Sequence, residues 1–508
     1  MSDEEWDSSW EYFSRLLEEA NVRLEAAKEF IREELTTEEE KHGDYRWSFD
    51  FVNQRIVVFS PEEKYEYKPP VKKEEQYSDQ LTRLYYGLRA DKGENYDGEF
   101  LAKQSTFQVT EDCNMACTYC YQHNKKPNRM TFDIAKRYVD MLLDNDPKVN
   151  SYFDSEKMIG AVFEFIGGEP WLEIDLIDKI SDYIISELFR RKHHWAIKFI
   201  FSICSNGLLH NTPKVEKYID KHKSHLSYNI TLDGNKELHD ACRLDKCGNG
   251  TYDRALKSII SFRDKYKNTL PSKLTISPFN IPYLYDSIVN MLDIGYERIN
   301  LNCVMEKGWE KHHATELYWQ LCKIVDYLDH QGLLDKIYLS IFDEHQGVPA
   351  SCMPEEDTNG CGGTGKMLAL DWKGDFFPCL RYMENSVDNR EPYIIGNVWD
   401  GINIKYQHKK RIEYLRTITR TSQNEQKCLE CPINALCPSC NGYNYEYYGD
   451  PGKRTTFNCD TNKAQSLANY YYWHKRGENR PMYCPKDWAI DIIGENEYNR
   501  LLGMGVKE

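Results

Sequence analysis

Between residues 104 and 345 the sequence alternates short β-type runs with helical stretches, and no other feature restricts the possible folds as much. Alternating β and α segments with apolar strands predict a parallel sheet with helices packed outside it. Six such units suit an open or partial (βα) barrel of the TIM type, in which active sites lie at the carboxyl ends of the strands. The predicted strands are 105–110, 161–166, 197–203, 226–232, 273–277 and 298–304, and helices are predicted over 172–191 and 250–265.

The first hundred residues predict an N-terminal appendage made of helix and hairpin. Residues 2–34 carry apolar side chains at alternating spacings of four and three, which is typical of an amphipathic helix. That helix either packs on the protein's own body, the favoured interpretation, or docks a partner. Arg46–Phe51 and Arg55–Phe59 predict a small hairpin, and residues 60–76 have the charge and prolines of a linker.

Charge and cysteine content exclude several classes of protein. The formal net charge is −16, which argues against a nucleic-acid binder, since that class needs a basic face. No run approaches the roughly 18 apolar residues of a membrane span, and the acidic start does not resemble a signal peptide. We therefore expect a cytoplasmic protein with neither membrane nor nucleic acid as a partner. In a reducing compartment the 17 cysteines point to metal or redox chemistry rather than to disulfides.

Three of these cysteines follow the first predicted strand at a close spacing: Cys113, Cys117 and Cys120. Three soft thiolates in a loop can ligate three irons of a [4Fe–4S] cluster and leave the fourth iron open. The alternatives are a zinc site or isolated thiols. A structural zinc site usually takes four ligands from two separated pairs, which this triplet does not offer.

The next strands are followed by further small and polar motifs. Gly167-Gly168-Glu169-Pro170 follows the second strand, Ser205-Asn206-Gly207 the third and Asp233-Gly234 the fourth. The glycine-rich motif alone would be an ordinary strand-to-helix turn. Together with the cysteine loop, the ordered set resembles the radical S-adenosylmethionine (SAM) superfamily over roughly residues 104–345.

This resemblance implies a cofactor and a set of contacts. The three cysteines would hold the cluster, and the amino and carboxylate groups of SAM would chelate its open iron. Electron transfer to SAM would then release a 5′-deoxyadenosyl radical. The implied SAM contacts are Tyr119 beside the adenine; Gly167, Gly168 and Glu169 at the amino group; Ser205, Asn206 and Asp233 at the ribose or carboxylate; and Arg243 as a further candidate for the carboxylate.

A second cysteine set reads Cys361-X12-Gly374-X4-Cys379 and, further on, Cys428-X2-Cys431-X5-Cys437-X2-Cys440-X18-Cys459. This order resembles the SPASM extension found behind radical SAM cores, which carries two auxiliary [4Fe–4S] clusters. The last short gap is two residues instead of three, and the eight residues between Cys352 and Cys361 put Cys352 in doubt as a ligand. Without it, the inner cluster would have an open iron that could bind a substrate thiolate. A zinc ribbon is the alternative, but only five residues separate the Cys-X-X-Cys pairs, against about 15–20 in that motif. The implied ligands are Cys428, Cys431, Cys437 and Cys459 for the outer cluster, and Cys352, Cys361, Cys379 and Cys440 for the inner one.

The sequence thus predicts four regions and three [4Fe–4S] clusters. Residues 1–100 form the appendage, a possible peptide-recognition region; 101–345 the radical SAM core; 346–485 the SPASM domain; and 486–508 a tail. Six cysteines lie outside the predicted clusters. Three of them (Cys204, Cys303 and Cys322) are predicted to be small buried hydrophobes, and three (Cys242, Cys247 and Cys484) receive no role.

Two peptide-directed reactions fit such a chain. In the anaerobic sulfatase maturases, which form formylglycine, an aspartate would follow Cys379, whereas Leu380-Arg381 stand here. The motifs look most like the maturases whose ribosomally made targets carry CXXX repeats. The predicted activity is therefore hydrogen abstraction from a Cys-rich precursor peptide and thioether formation, with a flavodoxin or ferredoxin as electron donor. The alternatives are formylglycine formation and a non-enzymatic iron–sulfur electron carrier.

Overall fold

The computed structural model describes residues 104–504 apart from 159, 197, 267–271, 350, 352–358, 389 and 403–404, together with the backbone of two N-terminal strands. These strands, β1 (Arg46–Asp50) and β2 (Arg55–Phe59), pair antiparallel with Asp50 opposite Arg55. The predicted hairpin is therefore confirmed. The predicted helix over 2–34, the linker over 60–76 and Cys352 lie outside the described residues.

The strands of the core all form where the sequence predicts them, and their ends differ from the predicted ends by at most two residues. The remaining strands are β3 (Gln104–Gln108), β4 (Ala161–Ile166), β5 (Phe199–Ser205), β6 (Leu226–Ile230), β7 (Ser272–Ile276), β8 (Arg298–Cys303), β9 (Tyr338–Leu339), β10 (Met367–Leu370), β11 (Asp375–Phe377), β12 (Gly396–Asn397) and β13 (Gly401–Ile402).

Helices connect the parallel strands and make up most of the C-terminal region. They are α1 (Phe132–Leu143), α2 (Ile174–Arg190), α3 (Pro213–His222), α4 (Lys236–Cys242), α5 (Tyr252–Tyr266), α6 (Leu284–Ile294), α7 (Lys311–His330), α8 (Tyr406–Arg416), α9 (Gln426–Leu429), α10 (Asn441–Tyr448), α11 (Cys459–Lys475), α12 (Lys486–Ile493) and α13 (Glu495–Met504). None of the helices in this described part is both long and apolar enough to cross a membrane.

The predicted α/β fold with a parallel sheet is confirmed, but its strands lie in two sheets. β3, β4, β5 and β6 pair parallel in chain order. β7, β8 and β9 form a separate parallel sheet, and no ladder among the described strands joins it to β6. The side chain of Ser272 at the start of β7 nevertheless reaches the carbonyl of Leu232, with Oγ and O 3.5 Å apart. The second sheet therefore begins beside the chain that leaves the first.

The larger sheet continues beyond residue 345. β10 pairs parallel with β3, placing Met367 opposite Gln104, and β11, β12 and β13 add antiparallel strands at that edge. The β10–β11 turn requires a positive φ at Gly374, where φ is +94°. The first strands after the predicted domain boundary are thus part of the core sheet, because two- to four-residue strands between turns give no detectable periodicity.

The two faces of β3–β6 differ in chemistry. Phe107, Phe165 and Phe201 point outward and are fully buried under the helices, each contributing about 1.5–3 kcal/mol by burial. Most of the alternate positions are polar, among them Thr106 and Glu164, which lie opposite each other, although Val162, Ile166 and Ile200 share this face. Strands covered on both faces are usually apolar throughout. The polar part of the inner face is therefore available for chemistry as well as for packing.

Candidate functional site

The cysteine loop follows β3 and is held by backbone pairing with the segment after α4. Ala116 N–H donates to the Leu244 carbonyl at 2.8 Å, and Thr118 N–H donates to the Cys242 carbonyl at 2.9 Å. At the start of the loop, Asp112 Oδ1 accepts a 2.8 Å hydrogen bond from the backbone N–H of Cys113. The loop is therefore anchored by the protein itself.

The thiols of this loop suit a metal cluster. Burial raises the pKa of Cys113 to about 11 and also raises that of Cys117, so neither is a thiolate at neutral pH without a cation. Lys125 lies close to all three sulfurs. Burial alone would lower the pKa of Lys125, but Cys120, Cys113 and Cys117 outweigh burial and raise it. Three thiols and one cation fit a site that holds an anionic iron–sulfur cluster.

The Gly-Gly-Glu segment after β4 packs directly on the cysteine loop. Gly168 N–H donates to the Thr110 carbonyl at 3.2 Å, and Glu169 N–H donates to the Asp112 carbonyl at 2.9 Å. A Cβ on Gly168 would lie 2.2 Å from the Asp112 oxygen and 2.7 Å from Cys113 Cβ. This contact explains why the chain needs a glycine here, and it brings Glu169 to the edge of the cysteine loop.

Glu169 is almost fully buried, with 1% exposure, and is held by neutral donors. Its carboxylate accepts from Ser205 Oγ at 2.8 Å, Asn206 N–H at 2.8 Å and Trp171 N–H at 3.2 Å. Burial raises the pKa of Glu169 to about 7 in spite of these bonds. A buried carboxylate of this kind is suited to accept hydrogen bonds from an N–H group of a ligand, which would favour its charged form.

Ser205 is the last residue of β5 and Asn206 follows it, so the predicted motif lies at the strand end, but both side chains contact protein groups. Ser205 donates to Glu169, while Asn206 Nδ2 donates to Asn114 Oδ1 at 2.7 Å. Asn206 Oδ1 accepts from the N–H of Leu208 at 3.0 Å. The two residues orient Glu169 and the cysteine loop in this structure, and their contact with a ribose or carboxylate stays a prediction.

Asp233 and its partners form the third part of the site. Asp233 is fully buried, and its Oδ2 accepts from the Tyr119 hydroxyl and, at 2.7 Å, from Arg243 Nε. Burial raises the pKa of Tyr119 well above its usual value. Oδ1 of Asp233 is buried without a partner among the described residues. A buried acceptor without a donor is costly, so this oxygen suits a hydroxyl or N–H of a bound ligand.

The polar inner face of the sheet was not predicted as part of the site. Gln104 Nε2 and Thr106 Oγ1 both donate to Glu164 Oε2, at 2.5 and 2.8 Å. Gln108 is fully buried, and neither of its amide atoms has a partner within the described chain. The signal was present in the sequence, because Glu164 interrupts the apolar strand AVFEFI.

Cys204 corrects one expectation. The sequence predicts a small buried hydrophobe, but the side chain is solvent-accessible, with its Sγ 3.5 Å from Thr231 Oγ1. Burial still raises the pKa of the Cys204 thiol, although solvent reaches its side chain. Strand alternation places Cys204 on the polar inner face, which accounts for the difference. Cys303 and Cys322 are buried, as predicted.

Three cysteines of the predicted inner cluster converge around Gly363. A Cβ on Gly363 would lie 3.2 Å from Cys379 Sγ and 3.5 Å from Cys361 Sγ. Burial, followed by the neighbouring Cys440, raises the pKa of Cys361 to about 11. Burial, Cys361 and Cys440 likewise raise the pKa of Cys379. The described part of the chain therefore supplies a three-thiol site at this position.

Tyr121 and Arg381 lie between the two cysteine sets. Tyr121 directly follows Cys120, and Arg381 comes two residues after Cys379. The Arg381 guanidinium lies 4.9 Å from the centre of the Tyr121 ring, and its Nη2 is 2.9 Å from a carboxylate oxygen of Glu306. In the sequence, Arg381 marks only a departure from the sulfatase maturases, and Tyr121 receives no role. This stack connects the core to the cysteine-rich region.

The predicted outer ligands line one cavity of about 210 Å³. Burial raises the pKa of the Cys437 thiol to about 11, against the opposing effect of the Arg454 guanidinium. Arg454 Nη2 lies 2.9 Å and Asn462 Nδ2 3.3 Å from Cys437 Sγ. The cavity is thus a four-thiol site with polar donors beside it. Its four cysteines are Cys428, Cys431, Cys437 and Cys459.

Comparison with known families defines the class to which this site belongs. Residues 107–292 match the family model of the radical SAM superfamily, and this range contains the cysteine loop, the Gly-Gly-Glu segment and Asp233. The chain therefore carries a radical SAM domain.

Individual relatives of known sequence share 22% to 28% identity with this chain. An uncharacterised protein of Methanocaldococcus jannaschii is 28% identical over 42% of this chain, and the match spans 66% of that protein. A cysteine-type anaerobic sulfatase-maturating enzyme of Clostridium perfringens is 27% identical over 65% of this chain and 85% of its own length. The subtilosin biosynthesis protein AlbA of Bacillus subtilis is 22% identical over 66% of each chain.

A solved structure shares the fold. Native anSMEcpe with bound AdoMet and Cp18Cys peptide superposes with a TM-score of 0.54 at 18% identity. The superposition covers 73% of this chain and 97% of the other. The shared architecture therefore extends well beyond the radical SAM domain into the cysteine-rich region.

Proposed function

We propose that this protein is a radical SAM enzyme that modifies a ribosomally made, Cys-rich peptide by forming thioether links. One observation carries the proposal. The cysteine loop, buried Glu169 and the unpartnered Asp233 oxygen meet at the carboxyl edge of one parallel sheet. That edge is where α/β enzymes hold their ligands.

Each part of the edge has a role toward the cofactors. Cys113, Cys117 and Cys120 would hold a [4Fe–4S] cluster, and Glu169 would accept a hydrogen bond from the amino group of SAM. Asp233 receives a donor of SAM through Oδ1, while Arg243 and Tyr119 hold its other oxygen. When bound, the cluster and SAM supply a 5′-deoxyadenosyl radical that abstracts hydrogen. The buried protein groups orient SAM and exclude water from it.

We further propose that the C-terminal region is a SPASM domain with two auxiliary clusters, which brings the total to three, and that the two sheets are arcs of one partial barrel. The convergence of three inner thiols and of four outer thiols supports this assignment. Cys352 remains the proposed fourth inner ligand. If it is not a ligand, the open iron would be available to a thiolate of the substrate.

The choice of a thioether over formylglycine rests on the residues beside Cys379. Leu380 occupies the position of the catalytic aspartate, and Arg381 is already engaged with Glu306 and Tyr121. The relationship to AlbA, a bacteriocin biosynthesis protein, also favours a peptide substrate. In the proposed reaction a peptide carbon loses a hydrogen atom, a cysteine thiol loses a proton, and a carbon–sulfur bond forms. A flavodoxin- or ferredoxin-type donor would supply the one electron that SAM cleavage consumes. The one electron released when the carbon–sulfur bond forms would be taken up by the auxiliary clusters and returned to that carrier.

Mass spectrometry of a Cys-rich target peptide tests the reaction. Each thioether removes two hydrogens, so the product should be about 2 Da lighter per link, with the cysteine thiol blocked to alkylation. A Glu169→Gln variant, which loses the buried anion, serves as the control that should leave the peptide unchanged. Conversion of a sulfatase peptide to formylglycine, with the Cys-rich peptide untouched, would instead establish the alternative.

The N-terminal region is proposed to recognise the peptide. Deleting residues 1–75 should abolish peptide binding in fluorescence anisotropy while SAM cleavage continues. Unchanged peptide affinity after the deletion would refute this role.

A further inference from the structure

The outer four-thiol site contains an arginine whose position is fixed by several bonds. Arg454 Nη2 lies 2.9 Å from Cys437 Sγ and 2.8 Å from each of the carbonyl oxygens of Cys437 and Pro438. Its Nη1 donates to Asn424 Oδ1 at 3.3 Å. The guanidinium therefore stays beside this sulfur without depending on a single contact, and it brings a full positive charge to the site.

Asn462 brings a second donor to the same sulfur. It is 4% exposed, and it lies in the first turn of α11, the helix that begins at Cys459. Its Nδ2 lies 3.3 Å from Cys437 Sγ and 3.1 Å from the Asn458 carbonyl oxygen. The Asn458 carbonyl oxygen can only accept a hydrogen bond, so the side-chain atom beside it must be the amide nitrogen of Asn462. The same nitrogen therefore faces the sulfur. One sulfur of the outer site thus receives both a cationic and a neutral donor.

Donors of this kind change the energy of the two oxidation states by different amounts. A [4Fe–4S] cluster gains one negative charge when it takes up one electron, and part of that charge lies on the ligand sulfurs. Hydrogen bonds and positive charge at a ligand sulfur therefore stabilise the reduced state more than the oxidised state. Coulomb energy falls with distance and with solvent screening, so a cation bonded to a buried sulfur acts more strongly than one at the rim.

We propose that Arg454 and Asn462 raise the reduction potential of the outer auxiliary cluster and so make it the electron-accepting end of the chain of clusters. This inference rests on the proposed function, because it requires the outer cubane. In this role the outer site would take up the electron released in the reaction and would return it to the flavodoxin- or ferredoxin-type carrier that supplies the electron for SAM cleavage. Arg454 and Asn462 are positioning residues in this role, since they act through Cys437.

The same cavity offers a matched control. Lys427 also lines it, but this residue pairs with Glu425 at 2.9 Å, and its side chain is 65% exposed. Lys427→Gln removes one positive charge near the cluster without removing a bond to Cys437. Comparing it with Arg454→Gln separates the bonded donor from the general loss of charge.

The experiment is an EPR-monitored redox titration of the full-length protein after anaerobic reconstitution. The outer signal is assigned by its loss in a Cys428→Ser/Cys431→Ser variant. Arg454→Gln should shift the midpoint potential of that signal to more negative values, and Asn462→Leu should give a smaller shift in the same direction. Arg454→Lys, which keeps the charge, should lie between wild type and Arg454→Gln. Lys427→Gln should match wild type.

Iron content is measured first, because it tests whether the outer cluster is present separately from whether its reduction potential is raised. A wild-type chain that loses no iron when Cys428 and Cys431 are replaced by serine would overturn the outer cubane, and with it this inference. If all three cubanes form, an unchanged outer potential in both Arg454→Gln and Asn462→Leu would overturn the inference alone. If Arg454→Gln loses the outer cluster, Asn462→Leu decides by the same criterion.

Discussion

At the scale of single residues, Glu169 is the clearest link between sequence and chemistry. Its position after β4 could be predicted from the order of strands and motifs, and the structure places it beside the cysteine loop. Its partners Ser205 and Trp171 could not be predicted, because side-chain orientation depends on packing between strands. Cys204 was wrongly expected in the core because its side-chain orientation could not be predicted either, and the structure shows that solvent reaches this side chain.

The raised pKa of Glu169 predicts a pH dependence for SAM binding. Below pH 7 the buried carboxyl binds a proton in the free protein, and that proton is lost when the charged carboxylate accepts hydrogen bonds from the amino group of SAM. SAM affinity should therefore fall as the pH drops below about 7, by up to about tenfold per pH unit, and level off above it. Isothermal titration calorimetry under anaerobic conditions measures this dependence.

Glu169→Gln is the variant that tests the cause of the pH dependence. It should bind SAM weakly and lose the slope, because the amide does not titrate. A variant with the wild-type slope would show that another group is responsible.

Gly168 gives a steric prediction. In Gly168→Ala the new Cβ would lie 2.2 Å from the Asp112 carbonyl oxygen and must displace the start of the cysteine loop. Loading of the cluster at the cysteine loop should fall, with a loss of up to about four irons per chain. Iron analysis measures the loss. Gly503→Ala, where no atom lies within 4 Å of the new Cβ, is the control that should keep full loading.

At the scale of secondary-structure elements, the core strands could be predicted because their apolar runs are five to seven residues long. The addition of β10 to β3 could not, since β10 has only four residues and pairs with a strand more than 250 residues earlier in the chain. The contacts of the segment after α4 could not be predicted from the sequence either. Its pairing with the cysteine loop depends on tertiary structure and leaves no periodic pattern in the sequence.

Arg243 connects the segment after α4 to Asp233 at the strand edge, and its removal should lower the free energy of unfolding. Both members of the Arg243–Asp233 pair are buried, with side-chain exposures of 12% and 1%. Arg243→Met leaves a buried carboxylate without its cation, which should cost about 3–5 kcal/mol of unfolding free energy. Urea denaturation of wild type and variant at equal cluster loading measures the difference.

The double variant Asp233→Asn/Arg243→Met provides the internal check. It removes both charges, so it should lose less stability than Arg243→Met alone. Losses that simply add would mean that the pair contributes no coupling energy.

At the scale of the whole molecule, cysteine spacing predicted two thiol sites in the C-terminal region. The structure brings together Cys361, Cys379 and Cys440 at the inner site and four cysteines at the outer site. The contacts of Arg381, the role of Arg454 and the polar inner face could not be predicted, because arginines and single polar residues occur throughout any chain. The contacts of these residues, rather than their types, identify them as parts of the sites.

The number of clusters follows from this arrangement. Reconstituted protein should contain about twelve irons per chain, and replacing Cys428 and Cys431 by serine should remove about four of them. Iron and zinc analysis of the same samples measures both. A chain with about four irons and bound zinc would show that the C-terminal cysteines form a zinc site.

The central claim is that the edge formed by the cysteine loop, Glu169 and Asp233 cleaves SAM reductively. The most direct measurement is the release of 5′-deoxyadenosine by anaerobically reconstituted protein given SAM and dithionite, followed by liquid chromatography and mass spectrometry. We predict that wild-type protein releases 5′-deoxyadenosine and that a Cys113→Ala/Cys117→Ala/Cys120→Ala variant does not. A wild-type protein with its clusters loaded that releases none would contradict the account and would leave an iron–sulfur electron carrier as the better description.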